Sequence, residues 1–121
     1  MTIQTIEKNG VKAAVVASEV PVLLDASSAL DLIASVRYEG GADRMALPKS
    51  AVCEDFFVLS TRLAGEVLQK FVNYRMKLAI YGDFSGYTSK PLRDFIRESN
   101  RGRDVFFAAT QEEAVERLVH S

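Results

Sequence analysis

The sequence predicts a single α/β domain in which a β-hairpin leads into a mixed, mainly parallel sheet covered by helices. Asn9-Gly10, between two strand-like segments, is the dipeptide that a two-residue hairpin turn requires. Residues 44–85 read as strand, helix and strand, and such a crossover makes the two strands parallel. With the remaining segments the order is ββαβαβαβα, and residues 1–121 form one domain because two cores would each be too small.

Composition sets broad limits on function. With 48% hydrophobic and 26% charged residues the chain has the balance of a globular protein, and no apolar run reaches the ~20 residues of a membrane span. A net charge of −1 gives no general attraction to nucleic acid or lipid. The single cysteine and the absence of a signal-like start predict a bacterial-type domain of the cytoplasm.

The first two strands are predicted from the polarity of their residues, and the end of the first helix from a pair of glycines. Residues 2–8 are polar enough for an edge strand, whereas 11–17 are apolar on both faces and predict an interior strand. A helix should begin near Asp25 and run to about Tyr38 before Gly40-Gly41. Its predicted buried face consists of Leu30, Ile33 and Ala34.

The central unit contains the longest predicted helix, from about Asp55 to Arg75, between strands 44–47 and 78–81. Apolar residues recur along it at helical spacing and predict a helix lying on a sheet. The stripe comprises Phe56, Leu59, Leu63, Ala64, Val67, Leu68, Phe71 and Val72. We expect this helix to cover Met45, Ile80 and Phe106 on three neighbouring parallel strands.

The C-terminal third predicts two capped helices around a short strand. Ser89 should cap the first helix, with Pro91 in its first turn, and 104–109 is the strand. Thr110 to Glu113 has the pattern of a capping box. The predicted buried faces are Leu92, Phe95 and Ile96 on the first helix and Ala114, Val115, Leu118 and Val119 on the second.

This order of elements resembles that of STAS-like anti-anti-sigma-factor antagonists, which bind protein partners and sometimes nucleotides. The resemblance implies a regulatory domain. Those antagonists carry an Asp-Ser-Ser/Thr-Gly motif with a phosphorylated serine after the third strand. Here the corresponding stretch is 47–55, which lacks that motif, so the resemblance does not extend to phosphorylation.

Eight segments spread over nearly the whole chain carry a second resemblance. They are 29–33, 38–44, 47–50, 54–57, 63–66, 68–75, 82–85 and 93–100. These segments are similar to a family of small bacterial proteins known as domain of unknown function 4180. That resemblance implies no particular activity, cofactor or partner.

A ligand site is predicted at the carboxyl ends of the parallel strands, where ligands of open α/β sheets bind. Three loops, 48–55, 83–91 and 109–112, should meet there and hold a small anion or nucleotide. The candidate ligand residues are Lys49, Ser50, Asp83, Ser85, Ser89 and Lys90. The alternative is that Ser50, Asp55 and Ser89 are helix caps and Asp83 forms a turn.

Catalytic and metal chemistry are poorly supported. Ser50 and Cys53 have no neighbouring base, since the one histidine, His120, is the penultimate residue. One Cys and one His show no zinc-ligand spacing, and 82–86 has neither the lysine of a P-loop nor the paired glycines of a dinucleotide-binding turn. We therefore expect no cofactor and no metal, and we expect Cys53 to be a buried structural thiol.

One charge pattern suggests partner binding. Arg93, Arg97 and Arg101 recur every four residues, and 86–103 carries a net charge of +3. This face is a candidate site for an acidic protein partner, or simply a solvated helix face. Tyr87 adds one stacking surface, which is little support for nucleic-acid binding.

Three hypotheses on function follow. The first is a non-enzymatic, STAS-like regulatory or protein-binding domain. The second is a small-molecule or nucleotide binder at the strand ends. The third is a minimal hydrolase or transferase that uses Ser50 or Cys53.

Overall fold

A computed structural model describes all residues from 1 to 121 and contains one five-stranded sheet whose strands lie side by side in chain order. The strands are β1 (Thr2–Lys8), β2 (Val11–Ala17), β3 (Arg44–Pro48), β4 (Lys77–Tyr81) and β5 (Val105–Ala108). The helices are α1 (Ala26–Gly40), α2 (Leu63–Asn73), α3 (Lys90–Arg101) and α4 (Gln111–Val119). β1 is antiparallel to β2, and all other pairs are parallel. The predicted fold class is confirmed.

The helices are distributed unequally over the two faces of the sheet. The three crossovers from β2 to β5 step in the same direction, so the right-handed rule places α1, α2 and α3 on one face. The larger hydrophobic cluster, 23 buried residues, joins those helices to the sheet. The smaller cluster, nine residues, lies on the other face, where α4 packs alone. None of the helices is long and apolar enough to cross a membrane.

Small side chains make room for α4. The registers of the parallel strands place Val15, Ala46, Ala79 and Phe106 in one row across the sheet. The two central alanines let the helix approach the strands closely, and the larger residues flank it. All four predicted apolar residues of α4 are buried there, as expected: Ala114, Val115, Leu118 and Val119.

The hairpin is as the sequence predicts. Asn9 and Gly10 both have positive φ, 55° and 75°, which a two-residue turn of this kind requires. β1 is an edge strand, and β2 is interior because it pairs with both β1 and β3.

The helix α1 begins and ends near the predicted residues, but its buried face differs. Asp25 caps it by accepting a 2.8 Å hydrogen bond from the Ser28 amide, and Gly41, at φ 62°, closes it. The buried residues are Ala29, Leu32, Ile33 and Val36. Of the predicted face, Ile33 is buried and Leu30 half-buried. Ala34 is exposed, so that part of the prediction is wrong.

The predicted long helix from Asp55 to Arg75 is wrong at its start. Residues 54–57 and 59–61 form separate 3₁₀ turns, and α2 begins only at Leu63. Arg62 has φ 65°, a left-handed conformation that interrupts a helix. The Thr61 hydroxyl also accepts the Leu63 amide at 3.2 Å, which ends the turn and starts α2. Both Phe56 and Phe57 are buried, as a tight turn permits, whereas Val72 is 47% exposed.

The strands carrying Met45, Ile80 and Phe106 are adjacent and parallel, as predicted. Met45 and Ile80 lie in the cluster under the three helices. Phe106 pairs with Ala79 and points to the α4 face, so α2 does not cover it and that expectation is wrong.

The caps of the last two helices are confirmed. Ser89 accepts the Leu92 amide at 3.4 Å, and Thr110 accepts the Glu113 amide at 3.2 Å. The Glu113 carboxylate returns to the Ala109 amide at 3.3 Å, one residue before the position of an ideal capping box. Leu92 is buried, and Phe95 and Ile96 are partly buried against the core.

Candidate functional site

Two of the three predicted loops meet at the carboxyl ends of β3 and β4. Lys49 Nζ donates a 3.0 Å hydrogen bond to the Asp83 carbonyl oxygen. The Tyr87 hydroxyl donates to Glu54, with its oxygen 3.2 Å and 3.4 Å from the two carboxylate oxygens. The third loop lies on the α4 side instead, where Tyr81 Oη is 3.2 Å from Gln111 Oε1. The geometric rule for this edge therefore groups the first two loops correctly.

Aromatic side chains fill the space between these loops. We call Phe57, Phe84, Tyr87 and Phe107 the aromatic cluster. Phe57 stacks on Tyr87 with ring centroids 5.1 Å apart, and Phe84 meets Phe107 edge to face at 5.6 Å. Such pairs contribute about 0.5–1.5 kcal/mol each beyond the burial of their area. The carboxyl edge is thus closed by packed rings.

Lys49 lies over this cluster. Its Nζ atom is 4.5 Å from the centroid of Tyr87 and 5.9 Å from that of Phe84. Gly82 makes this position possible: a Cβ there would lie 2.8 Å from Lys49 Cβ, and its φ is 155°. Lys49 is half-buried, so its ammonium group is held by a ring face and one carbonyl.

The electrostatics of the site fit a packed arrangement. Burial, together with the charge and hydrogen bond of Glu54, raises the pKa of Tyr87 to about 12. Hydrogen bonds from Ser85, side chain first and backbone second, lower the pKa of Asp83, and Lys49 adds to that effect. Tyr87 is therefore a neutral donor and Asp83 an anion at neutral pH.

The six candidate ligand residues separate into two groups. Lys49, Asp83 and Ser85 lie together, and Asp83 Oδ1 accepts the Ser85 amide at 2.9 Å. Ser50 turns away and donates to the Ser18 carbonyl at 3.0 Å. Ser89 caps α3, and Lys90 pairs with Asp94 at 2.6 Å. Ser89 is a cap and Asp83 a turn former, as the alternative interpretation holds. Its expectation that Ser50 and Asp55 are helix caps is wrong, because the short turns after β3 have no side-chain cap.

Cys53 lies beside the loop that follows β2. Its amide donates to the Leu23 carbonyl at 3.1 Å, and its half-buried sulfur is 3.8 Å from the Leu24 carbonyl. The adjacent residue Val52 forms a parallel bridge with Leu23. These contacts tie the two loops together, which fits the structural role expected of the cysteine. The expectation of a buried thiol is wrong, because Cys53 lies in irregular backbone between two 3₁₀ turns and is only half-buried. The structure contains no group of three residues arranged to hold a metal ion.

The three arginines predicted to bind a partner, Arg93, Arg97 and Arg101, lie on the exposed side of α3. Arg97 pairs with Asp94, and Arg101 lies 3.5 Å from Glu98. Arg93 is exposed and makes neither an ion pair nor a side-chain hydrogen bond. The hydrogen bond with Lys90, followed by the charges of Lys90 and Arg97, lowers the pKa of Asp94. Three of the four cations on α3 are thus partly neutralised, and Arg93 is free.

A groove lies elsewhere, along β5 and the outer side of α4, with a volume of about 1070 Å³. Arg117 crosses it: the guanidinium lies 4.5 Å from the Phe106 ring centroid and donates to the Asn100 carbonyl at 2.6 Å. No sequence pattern predicts a role for Arg117, Asn100 or the aromatic cluster as a whole. Phe84 and Tyr87, three residues apart in one loop, were the available signal for the cluster; Asn100 and Arg117 had none, because their contact depends on the packing of two helices.

The fold and these loops define a mixed α/β domain with a closed carboxyl edge. Residues 8–118 match the family described as Domain of unknown function (DUF4180), and the chain belongs to that family. No match was found among curated proteins or among solved structures.

Proposed function

We propose that the protein is a non-enzymatic, STAS-like regulatory domain of the bacterial cytoplasm that binds an acidic protein partner through α3. The observation that carries the proposal is the imbalance of charge on that helix. The helix carries four cations and only two carboxylates, those of Asp94 and Glu98. Three of the cations pair with these carboxylates, and Arg93 has no intramolecular partner. An exposed surplus of guanidinium groups suits carboxylates of a partner, because each can be bound by two parallel hydrogen bonds.

The carboxyl edge supports the non-enzymatic part of the proposal. Lys49, Glu54 and Tyr87 are engaged with one another or with backbone groups. Ser50 and Cys53, the two candidate nucleophiles, each lie against a backbone carbonyl of the loop after β2. Neither has a base beside it, which nucleophilic catalysis requires.

The test is recovery of a partner from the native host on the immobilised protein, comparing wild type with the triple variant Arg93→Ala, Arg97→Ala and Arg101→Ala. We expect the variant to lose a partner that wild type retains, and added salt to release that partner from wild type. A control variant with the same loss of charge carries Lys12→Ala, Lys70→Ala and Arg75→Ala. Equal recovery by both variants would exclude α3 as the binding surface.

A second candidate function is binding of a small anion or nucleotide at the carboxyl edge. The observation that favours it is the proximity of Lys49, Asp83 and Ser85. A ligand that binds only the native state raises the melting temperature, so a thermal-shift screen with nucleotides and phosphate tests it. Lys49→Ala should abolish any such shift, whereas Lys70→Ala should not.

A further inference from the structure

The two edges of the sheet differ in their protection: side chains bond to backbone amides at the β5 edge and to none at the β1 edge. An edge strand exposes unpaired backbone groups, and monomeric proteins normally block them. The amides of Leu78 and Gly82 bond to the carbonyls of Asp104 and Ala108, so Val105 and Phe107 present their backbone groups to the outside of β5. This outer side is where the protection of β5 is found.

Side chains of the same molecule block part of the β5 edge, at the Phe107 amide and just after the strand. Asn100 Oδ1 accepts the Phe107 amide at 2.7 Å. Glu113 accepts the amide of Ala109, just after the strand, at 3.3 Å. Arg117 reaches from α4 on one face to the Asn100 carbonyl on the other and so passes across the edge. An added strand would have to displace all three contacts.

The β1 edge has no such protection. In a hairpin with a two-residue turn the flanking pair, Lys8 and Val11, is hydrogen-bonded, and hydrogen-bonded pairs then alternate along the ribbon. Ile3, Thr5 and Glu7 therefore belong to the non-hydrogen-bonded pairs. Their amides and carbonyls are directed away from β2. No side chain or loop bonds to these six backbone groups. β1 is seven residues long and contains no proline and no bulge.

We propose that β1 pairs with β1 of a second copy of this chain, antiparallel and about a two-fold axis, so that two five-stranded sheets form one continuous sheet. In the register centred on Thr5, every residue from Thr2 to Lys8 faces a residue of the other copy. Ile3 then lies opposite Glu7, and Thr5 opposite Thr5. The three outward residues of each chain exchange all their free hydrogen bonds.

The charges of β1 favour a second copy in this register. Glu7 and Lys8 both lie at the turn end of the strand, so the antiparallel arrangement puts the two pairs at opposite ends of the ribbon. Glu7 faces Ile3 and Lys8 faces Thr2, and no like charges are opposed. A register centred on Glu7 would oppose two glutamates, which selects against that alternative. Lys8 is also held by Glu116 at 2.7 Å on the α4 side of the sheet, which keeps its charge off the edge.

A proline at position 5 tests the proposal directly. The Thr5 amide points outward, so Thr5→Pro removes both hydrogen bonds of the central pair between copies while the β1–β2 ladder is retained. Thr5→Ala is the matched control, since both variants lose the hydroxyl that donates to the Gly40 carbonyl at 2.8 Å. Molar masses are measured by sedimentation over a series of concentrations. We expect a dimer for wild type and Thr5→Ala, and a monomer for Thr5→Pro.

Folding of each variant is checked by circular dichroism. If Thr5→Pro is unfolded, Glu7→Pro and its control Glu7→Ala replace the pair, because the Glu7 amide also points outward and its exposed side chain makes no hydrogen bond or ion pair. A monomeric wild type at every concentration overturns the proposal and leaves the edge to a different partner. A dimer that survives in a folded proline variant also overturns it.

Disulfide trapping tests the register. In a background with Cys53→Ala, Thr5→Cys places two cysteines opposite each other, with Cα atoms about 5.5 Å apart, a distance that a disulfide spans. Glu7→Cys is the control, since the register separates its two copies by four residues along the strand, roughly 14 Å. Covalent dimer from Thr5→Cys alone supports the register, and more rapid dimer formation from Glu7→Cys contradicts it.

Discussion

The guanidinium of Arg117 donates a 2.6 Å hydrogen bond to the carbonyl oxygen of Asn100, and this bond joins helices on opposite faces of the sheet. Asn100 also accepts the Phe107 amide through its side chain at 2.7 Å. One asparagine at the end of α3 thus links α4 to β5. The last strand and the last helix are held to the domain by this connection as well as by their apolar faces.

Replacing Arg117 should loosen that connection. Arg117→Ala removes a charged hydrogen bond and the contact with the Phe106 ring, which together are worth about 1–2 kcal/mol for an exposed side chain. We expect the free energy of unfolding in urea to fall by about that amount. Arg101→Ala, which removes only an exposed pair with Glu98 at 3.5 Å, should change it by less than about 0.5 kcal/mol. Equal losses in the two variants would contradict this assignment.

Asn100→Ala tests the other hydrogen bond of this connection, between the Phe107 amide and the Asn100 side chain. It leaves the Phe107 amide without an acceptor, at a cost of about 1–3 kcal/mol for a buried donor. Amide hydrogen exchange at Phe107 should become faster than in wild type. Asn100→Asp keeps an acceptor oxygen at the same place, so it should preserve most of the protection. Unchanged exchange in Asn100→Ala would show that the hydrogen bond is unimportant.

The glycines 82 and 65 provide a matched pair of substitutions with opposite expected signs. Gly82→Ala forces a side chain into φ 155° and against Lys49 Cβ, and should destabilise the protein by about 2–4 kcal/mol. Gly65→Ala lies in α2 with open space around its Cβ and should stabilise it by about 0.5–1 kcal/mol. Denaturant unfolding measures both. A Gly82→Ala variant as stable as wild type would contradict the described environment of Gly82, and a destabilised Gly65→Ala would contradict that of Gly65.

The pKa of Tyr87, raised to about 12, predicts a stability loss at alkaline pH. Because the unfolded phenol ionises near 10, the contribution of this residue is fully present below pH 10 and is lost as the pH rises through about 12. The wild-type absorbance titration minus that of Tyr87→Phe isolates its ionisation. In Glu54→Gln the pKa should fall but remain above 10, since burial is the largest cause of the shift. A Tyr87 step near 10 in wild type would contradict the packed site.

The sequence predicted the fold well where a local pattern had a single physical solution. Asn9-Gly10 permits the positive φ of a two-residue turn, and Ser89 and Thr110 cap helices with their own side chains. The predictions for Phe56, as part of the long helix, and for Ala34, as a buried residue of α1, are wrong. Helical spacing of apolar residues continues upstream of α2, but Arg62 adopts a left-handed conformation that the spacing does not reveal. The face of α1 is set by contact with both the sheet and α2, which its own sequence does not encode.

For the candidate site, strand order alone grouped Lys49 with Asp83, because parallel strands end at one edge. The direction of each side chain could not be predicted from the sequence. Ser50 turns toward Ser18, whereas its neighbour Lys49 turns toward the rings.

By itself, the amino-acid sequence determined the elements, their order and the parallel sense of the central strands, since these follow from propensity, turn chemistry and the handedness of crossovers. Only the tertiary structure decided which face α4 covers, how the aromatic cluster closes the carboxyl edge and which sheet edge is left open. Those features depend on contacts between residues far apart in the chain, such as Asn100 with Arg117 and Lys49 with Tyr87, and no local pattern specifies them.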